Sequence, residues 1–142
     1  MRLTVRRLVH VWLKKRLAAI GNPDVKFFGP NFPRARNPHA LADFYGSLGL
    51  AFQLEKHGSG PVHLSCETGG GLLEIYPCHE EHASTRAVRL GFTVDDLDAR
   101  CIAVASNNGR LLRAPHSTRW GRRATIEDPE GHTVDLVEAD AV

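Results

Sequence analysis

Residues 61–76 read PVHLSCETGGGLLEIY, and residues 122–137 read RRATIEDPEGHTVDLV. Each stretch is a strand, a glycine-bearing turn and a second strand. Gly70 aligns with Gly131 and Glu74 with Asp135 at one constant offset. Self-similarity at half the chain length predicts one supersecondary unit built twice. It also places a carboxylate at the same point of each copy.

The rest of each unit can be read outward from these hairpins. Upstream of the second, Val88, Leu90, Phe92 and Val94 alternate as a half-buried strand. Asp96 caps a helix whose Leu97, Cys101, Val104 and Ala105 share one face, and Asn108-Gly109 closes it. Strands near 110–114, 121–127 and 132–138 complete the copy. Upstream of the first hairpin, Val25 to Pro33 reads as one strand made irregular by Pro30 and Pro33. Asn37-Pro38 starts a helix with the stripe Leu41, Phe44, Tyr45 and Leu48, ended by Gly49. Strands near 50–56, 61–66 and 71–77 follow. The expected fold is α+β: two βαβββ units, about 25–77 and 87–138, in one domain spanning 23–142. Its helices cover one side of a cup-shaped mixed sheet. Residues 1–22 are expected to be an appendage, a basic amphipathic helix along Val5, Leu8, Val9, Trp12, Leu17 and Ile20.

At 142 residues the chain is long enough for a core without staples. Its net charge of +2 is uneven: residues 1–26 hold seven Lys/Arg and one acid, leaving −4 for the remainder. A mildly acidic body argues against a nucleic-acid reader. The three cysteines, Cys66, Cys78 and Cys101, are odd in number and form no CxxC pair. Free thiols in the cytoplasm are the expectation. No apolar run approaches a membrane span. The basic helix leaves contact with an anionic membrane surface as a minor alternative.

Strand parity then selects candidate site residues. If the more uniformly apolar set packs on the helices, Glu74, Arg89 and Asp135 face the open side. Tyr76 and Leu72 fall on the same side as Glu74. Phe28 and Phe32 share one face of the first strand and are candidate apolar walls. Trp120, among Arg119, Arg122 and Arg123, could stack on a flat ligand. His63 is a weak candidate general base, since a strand histidine is more often structural. The acids of Asp128-Pro129-Glu130-Gly131 read as solvated turn residues. Cys78-His79-Glu80-Glu81-His82 concentrates metal-competent side chains, without HExxH spacing, in what reads as a linker.

The segments FYGSLGLAF, RLGFTVDDLDA and above all WGRRATIEDPEGHTVDLVE resemble the vicinal-oxygen-chelate superfamily of glyoxalase I, bleomycin-resistance proteins and extradiol dioxygenases. The likeness spans about residues 25–139. It implies paired βαβββ units curled into a cup, and often a homodimer. It also implies, in the enzymatic members, a divalent metal held by histidines and glutamates. Carried over, Asp135 and Glu74 fall on the two last-strand carboxylate ligands. Arg89 falls where the second unit would offer histidine, and Pro30 or Asn31 falls on the remaining position. Two carboxylates alone hold Zn, Ni, Fe or Mn weakly, and arginine has no lone pair to give. The expectation is therefore no cofactor, with Glu74 and Asp135 as the only family metal ligands were one bound. Arg89 would instead pair with both acids. The function implied is binding of a small organic ligand, such as an antibiotic, by Arg89, Glu74, Asp135, Trp120, Tyr76, Phe28 and Phe32. One alternative is a divergent metal-dependent lyase, isomerase or dioxygenase that recruits His63 or His132. Another is an interaction module acting through the N-terminal helix.

Overall fold

The computed structural model describes residues 26–28, 33–69, 71–79 and 85–140. The expected helix at 1–22, Phe32 and most of the Cys78–His82 cluster lie outside them. The first unit comprises β2 (Arg34–Ala35), α1 (Pro38–Gly46), β3 (Gln53–Glu55), β4 (His63–Thr68) and β5 (Gly71–Pro77). The second comprises β6 (Arg89–Val94), α2 (Leu97–Ser106), β7 (Arg110–Thr118), β8 (Gly121–Glu127) and β9 (Thr133–Glu138). One further strand, β1 (Lys26–Phe28), precedes both. The strands form a four-stranded sheet in the order β2-β5-β4-β3 and a five-stranded sheet in the order β1-β6-β9-β8-β7.

The duplication holds at the level of single bonds. In each unit the first strand runs parallel to the last, and the ladder closes alike. Cys78 N donates to Ala35 O at 2.8 Å, and Ala139 N donates to Val94 O at 2.8 Å. Each helix starts on a side-chain cap: Asn37 accepts from Ala40 N and Asp96 from Ala99 N, both at 3.0 Å. Pro38 occupies the first turn, where a missing N–H costs nothing.

The first strand departs from expectation. The described part of the stretch from Val25 to Pro33 does not pair within the first unit as a strand. Lys26–Phe28 pairs antiparallel with β6 of the second unit, while Arg34–Ala35 makes the parallel pair with β5. Pro33 has no N–H for a ladder, so it contributes only its carbonyl, which accepts from Tyr76 N at 3.1 Å. β1 also contacts β5, so it stands at the seam between the units. The other correction is β7, which runs on to Thr118 rather than stopping near 114. Its register against β8 shifts twice between Leu111 and His116, and Pro115 sits in the second shift.

One continuous core joins the two units. Leu73 and Ile75 are fully buried while Leu72 is 39% exposed, which settles the parity of the strand whose two faces both looked apolar. Leu90, Phe92, Val134, Leu136, Ala124 and Ile126 form the matching layer. Tyr45 of α1 lies between Phe44 and Phe92, with ring centroids at 5.1 and 5.4 Å, and so ties one unit's helix to the other's sheet. Gly109 passes so close to Phe44 that a Cβ there would fall 2.3 Å from the ring. No helix among the described residues is long and apolar enough to cross a membrane.

Candidate functional site

With Leu73, Ile75, Val134 and Leu136 on the helix side, Glu74 and Asp135 are forced to the open side of their sheets. Cross-strand register fills in the neighbours. In the second sheet Asp135 lies beside Gly91 of β6 and opposite Thr125 of β8, and Arg123 is opposite Val137. In the first, Ser65 lies opposite Glu74, Gln53 opposite Ser65 and Glu55 opposite His63.

The second sheet's acid is fully engaged. Arg89 forks onto it, with Nε 2.6 Å from Oδ2 and Nη2 2.9 Å from Oδ1, and Thr125 Oγ1 donates to Oδ1 at 3.0 Å. These bonds, chiefly Arg89's, hold the Asp135 carboxyl below the usual carboxylate range, and Arg123 adds to the effect. The Arg89 side chain is still 61% exposed, so the guanidinium presents itself to solvent on the open face.

The first sheet's acid has a different companion. Glu74 Oε1 lies 3.2 Å from His63 Nε2, and both residues are buried. The His63 ring stacks on Tyr76 with centroids 4.4 Å apart and planes 9° from parallel. Its Nδ1 faces the Pro61 carbonyl at 3.2 Å. Burial, then Glu74 and Glu55, raise the Tyr76 hydroxyl above its ordinary range. The expected trio is therefore divided: Arg89 pairs with Asp135, and Glu74 lies against His63 without a hydrogen bond to it. The reason lies in the ladder. β6 lies parallel beside β9 with Gly91 opposite Asp135, and Arg89, two residues earlier on the same face, reaches the Asp135 carboxylate.

This geometry tests the metal site that the resemblance implies. A shared ion would need Asp135, but both of its oxygens already accept from Arg89, and a cation at the neighbouring position repels another. The residues at the family's positions do not fit a metal ion.

Other candidates fall elsewhere. Trp120 sits in the β7–β8 turn, 67% exposed, with the Arg119 guanidinium 3.8 Å from its ring centroid. Arg122 belongs to the helix side rather than the ligand side. Its guanidinium bonds Asp98 of α2 and Glu138, at distances from 3.0 to 3.2 Å. Phe28 lies opposite Gly91, with its backbone beside the strand of Arg89.

Asp128, read as a solvated turn residue, is 3% exposed and lies at the centre of a buried network. Tyr45 Oη donates to its Oδ2 at 2.6 Å, and His132 Nδ1 lies 2.8 Å from the same oxygen. Oδ1 accepts from the backbone N–H groups of Glu130 and His132. His132 Nε2 meets Thr85 Oγ1 at 2.7 Å, and Thr85 Oγ1 accepts from Arg34 N at 2.8 Å. Burial and the adjacent Asp128 push the Tyr45 phenol well above its ordinary range, so it stays protonated and donates. His132 is thereby committed to this network and does not reach the open face. Strand alternation is the sequence signal for it, since His132 falls on the same face as the buried Val134 and Leu136. A cavity of about 630 Å³ opens behind this turn, lined by Arg34, Arg36, Arg86, Arg110, Glu127 and Glu130 among others. Neither Glu74 nor Asp135 lines it. Cys66, Cys78 and Cys101 are buried thiols outside any disulfide, and burial pushes the Cys66 thiol up to about 11.

Comparison with known proteins agrees with this architecture. A family enzyme of the glyoxalase/bleomycin resistance protein/dioxygenase type from Burkholderia phytofirmans PsJN superposes with a TM-score of 0.60 at 21% identity, over 75% of this chain and 94% of that one. TnmS3, an antibiotic binding protein from Streptomyces sp. CB03234, gives 0.59 at 20% identity, over 78% and 93%. TioX from Micromonospora sp. ML1 gives 0.57 at 18% identity, over 79% and 95%. No curated protein matches the sequence. Residues 34–136 match the family pattern itself, and the chain belongs to the Glyoxalase/Bleomycin resistance protein/Dioxygenase superfamily.

Proposed function

We propose that the chain binds a small organic ligand carrying an anionic or carbonyl group, on the open face of its second sheet and without a metal at Asp135. The observation that carries this is Arg89. It stands at a family ligand position and is aligned by a two-point fork on Asp135, yet its side chain is 61% exposed. An aligned, partly free guanidinium suits a carboxylate, phosphate or carbonyl oxygen. Arg123 on the same face adds positive potential, and Trp120 offers an exposed ring for a flat ligand. The antibiotic binding described for TnmS3 makes aromatic antibiotics the first class to try. Phe28, Phe32 and Tyr76 remain proposed walls and Glu74 a proposed polar contact. A homodimer and a cytoplasmic location belong to the same reading.

A thermal-shift screen of aromatic and peptide antibiotics tests it, repeated with Arg89→Ala. Hits that lose their shift in the variant support the reading. Hits that keep it place the ligand elsewhere, and a broad panel without a hit rejects it.

A further inference from the structure

We infer that Glu55, His57, His63 and Glu74 form a binding site for a divalent transition-metal ion of the zinc type, built entirely within the first unit. The set is not the family's arrangement, which takes one ligand from each of four strands across both units. Here the donors come from β3, the loop after it, β4 and β5. The site stands independently of the proposed organic ligand.

The four side chains each bring one donor atom into a group whose members all lie within 4.8 Å of one another. Two of the spacings are informative. His63 Nε2 is 3.2 Å from Glu74 Oε1, and His57 Nε2 is 3.5 Å from Glu55 Oε2. Donors bound at zinc distances in a tetrahedron stand about 3.3–3.5 Å apart. Both imidazole–carboxylate edges therefore already have the length that a shared ion requires. The remaining donor separations are all within 4.8 Å, and the His57 side chain, 72% exposed, has room to close them.

His63 supplies a separate observation. Its side chain is 1% exposed, and its Nε2 has no hydrogen-bond partner. The Pro61 carbonyl facing Nδ1 can only accept, so the ring proton sits on Nδ1 and Nε2 turns a lone pair toward Glu74. Two acceptors at 3.2 Å repel unless something positive lies between them. A shared proton would draw the oxygen onto the Nε2 axis and make a hydrogen bond, and none forms there. A shared metal ion requires an oblique approach, because two ligands of one ion do not point at each other. Metal-bound histidines commonly hold their second ring nitrogen against a carbonyl, as Nδ1 does with Pro61. Tyr76, stacked on the ring, fixes its rotation. No arginine or lysine among the described residues pairs with Glu74, and two carboxylates match the charge of a divalent ion. Two imidazoles and two carboxylates favour Zn²⁺ or its neighbours over Ca²⁺ or Mg²⁺.

Isothermal titration of Zn²⁺ into the tag-free, chelator-stripped full chain tests the site. One equivalent should bind. His57→Ala, at an exposed position that leaves folding intact, should weaken binding by more than about tenfold, and His63→Ala should abolish it. Asp135→Asn, Arg89→Ala and His79→Ala should leave it unchanged. In the Co²⁺-loaded protein, absorption of tetrahedral type should appear and be lost in His57→Ala. Absence of binding by the parent chain overturns the proposal, as does parent-like affinity in His57→Ala. Loss of binding in Asp135→Asn overturns it in favour of an ion shared between the units. The organic-ligand screen reads Arg89 and the titration reads His57, so either proposal can fail without the other.

Discussion

The two open faces are built on the same ladder and carry opposite chemistry. On the second sheet Asp135 meets a guanidinium and a hydroxyl, and among the described residues no buried side-chain atom there lacks a hydrogen bond. On the first sheet Glu74 meets an imidazole, with Glu55 and Glu67 nearby. Both buried side-chain atoms that lack a partner among the described residues, His63 Nε2 and Glu67 Oε2, belong to β4 of that sheet. The helix-facing layers show no such divergence: Leu73 and Ile75 correspond to Val134 and Leu136, and all four are fully buried. A duplicated unit keeps the layer its helix must cover and is free to change the layer facing away. The paired carboxylates Glu74 and Asp135 record the common origin, and their companions record the separation.

The comparison can be broken hardest at the joint between the units. Asp128→Ala removes the acceptor of Tyr45 and His132 and leaves both donors buried. It should cost about 3–5 kcal/mol, read as a lower midpoint in urea. A loss under 1 kcal/mol would mean that the network is incidental. Next comes the shared core: Phe92→Ala should cost a further ~3 kcal/mol or more in the same assay, because its ring is fully buried against Tyr45. Both changes strike the layer that the units have in common.

Smaller effects belong to the divergent faces. Trp120→Ala, exposed in its turn, should leave stability within about 0.5 kcal/mol while reducing the shift given by any aromatic ligand. Asp135→Asn should cost no more than about 1 kcal/mol at neutral pH, since its partner Arg89 is solvent-screened. The sign with pH is fixed by the depressed Asp135 carboxyl. Its contribution is fully present above the unfolded-state value and fades as pH falls through the lower folded value. Asp135→Asn and the parent chain should thus converge in stability under strong acid and differ only above it. A difference that grows on acidification would refute the pairing.

Much of this was readable from residue order. The two helix caps, the hairpins and the inward strand faces follow from period and turn chemistry, and Asn37, Asp96, Leu73 and Ile75 stand where those rules put them. Periodicity also placed Arg89, Glu74 and Asp135 on the open side. It could not say which would touch, because contact depends on register between strands far apart in sequence. That register put Gly91 opposite Asp135 and so brought Arg89, two residues earlier on the same face, within reach of it. The 25–33 stretch was misread because a strand pattern does not name its partner, and β1 took one from the other unit. Asp128 was missed because turn composition normally signals exposure, whereas here the turn is folded under α1. Glu55 and His57 carried no pattern of their own; pairing of β3 with β4 was needed to bring them to His63.

The turn at Asp128 has a consequence for how the chain holds together. Glu130 accepts the backbone N–H of Asn37 at 2.9 Å, so the cap of the first helix is completed from the second unit. With Tyr45 bound to Asp128, the first helix is anchored at its start and its C-terminal end by residues more than eighty positions away. The first half does not own all that its helix requires. The chain should therefore unfold in one cooperative step despite its repeat. Severed between residues 79 and 85, it should yield fragments that are unstructured apart and regain order only on mixing.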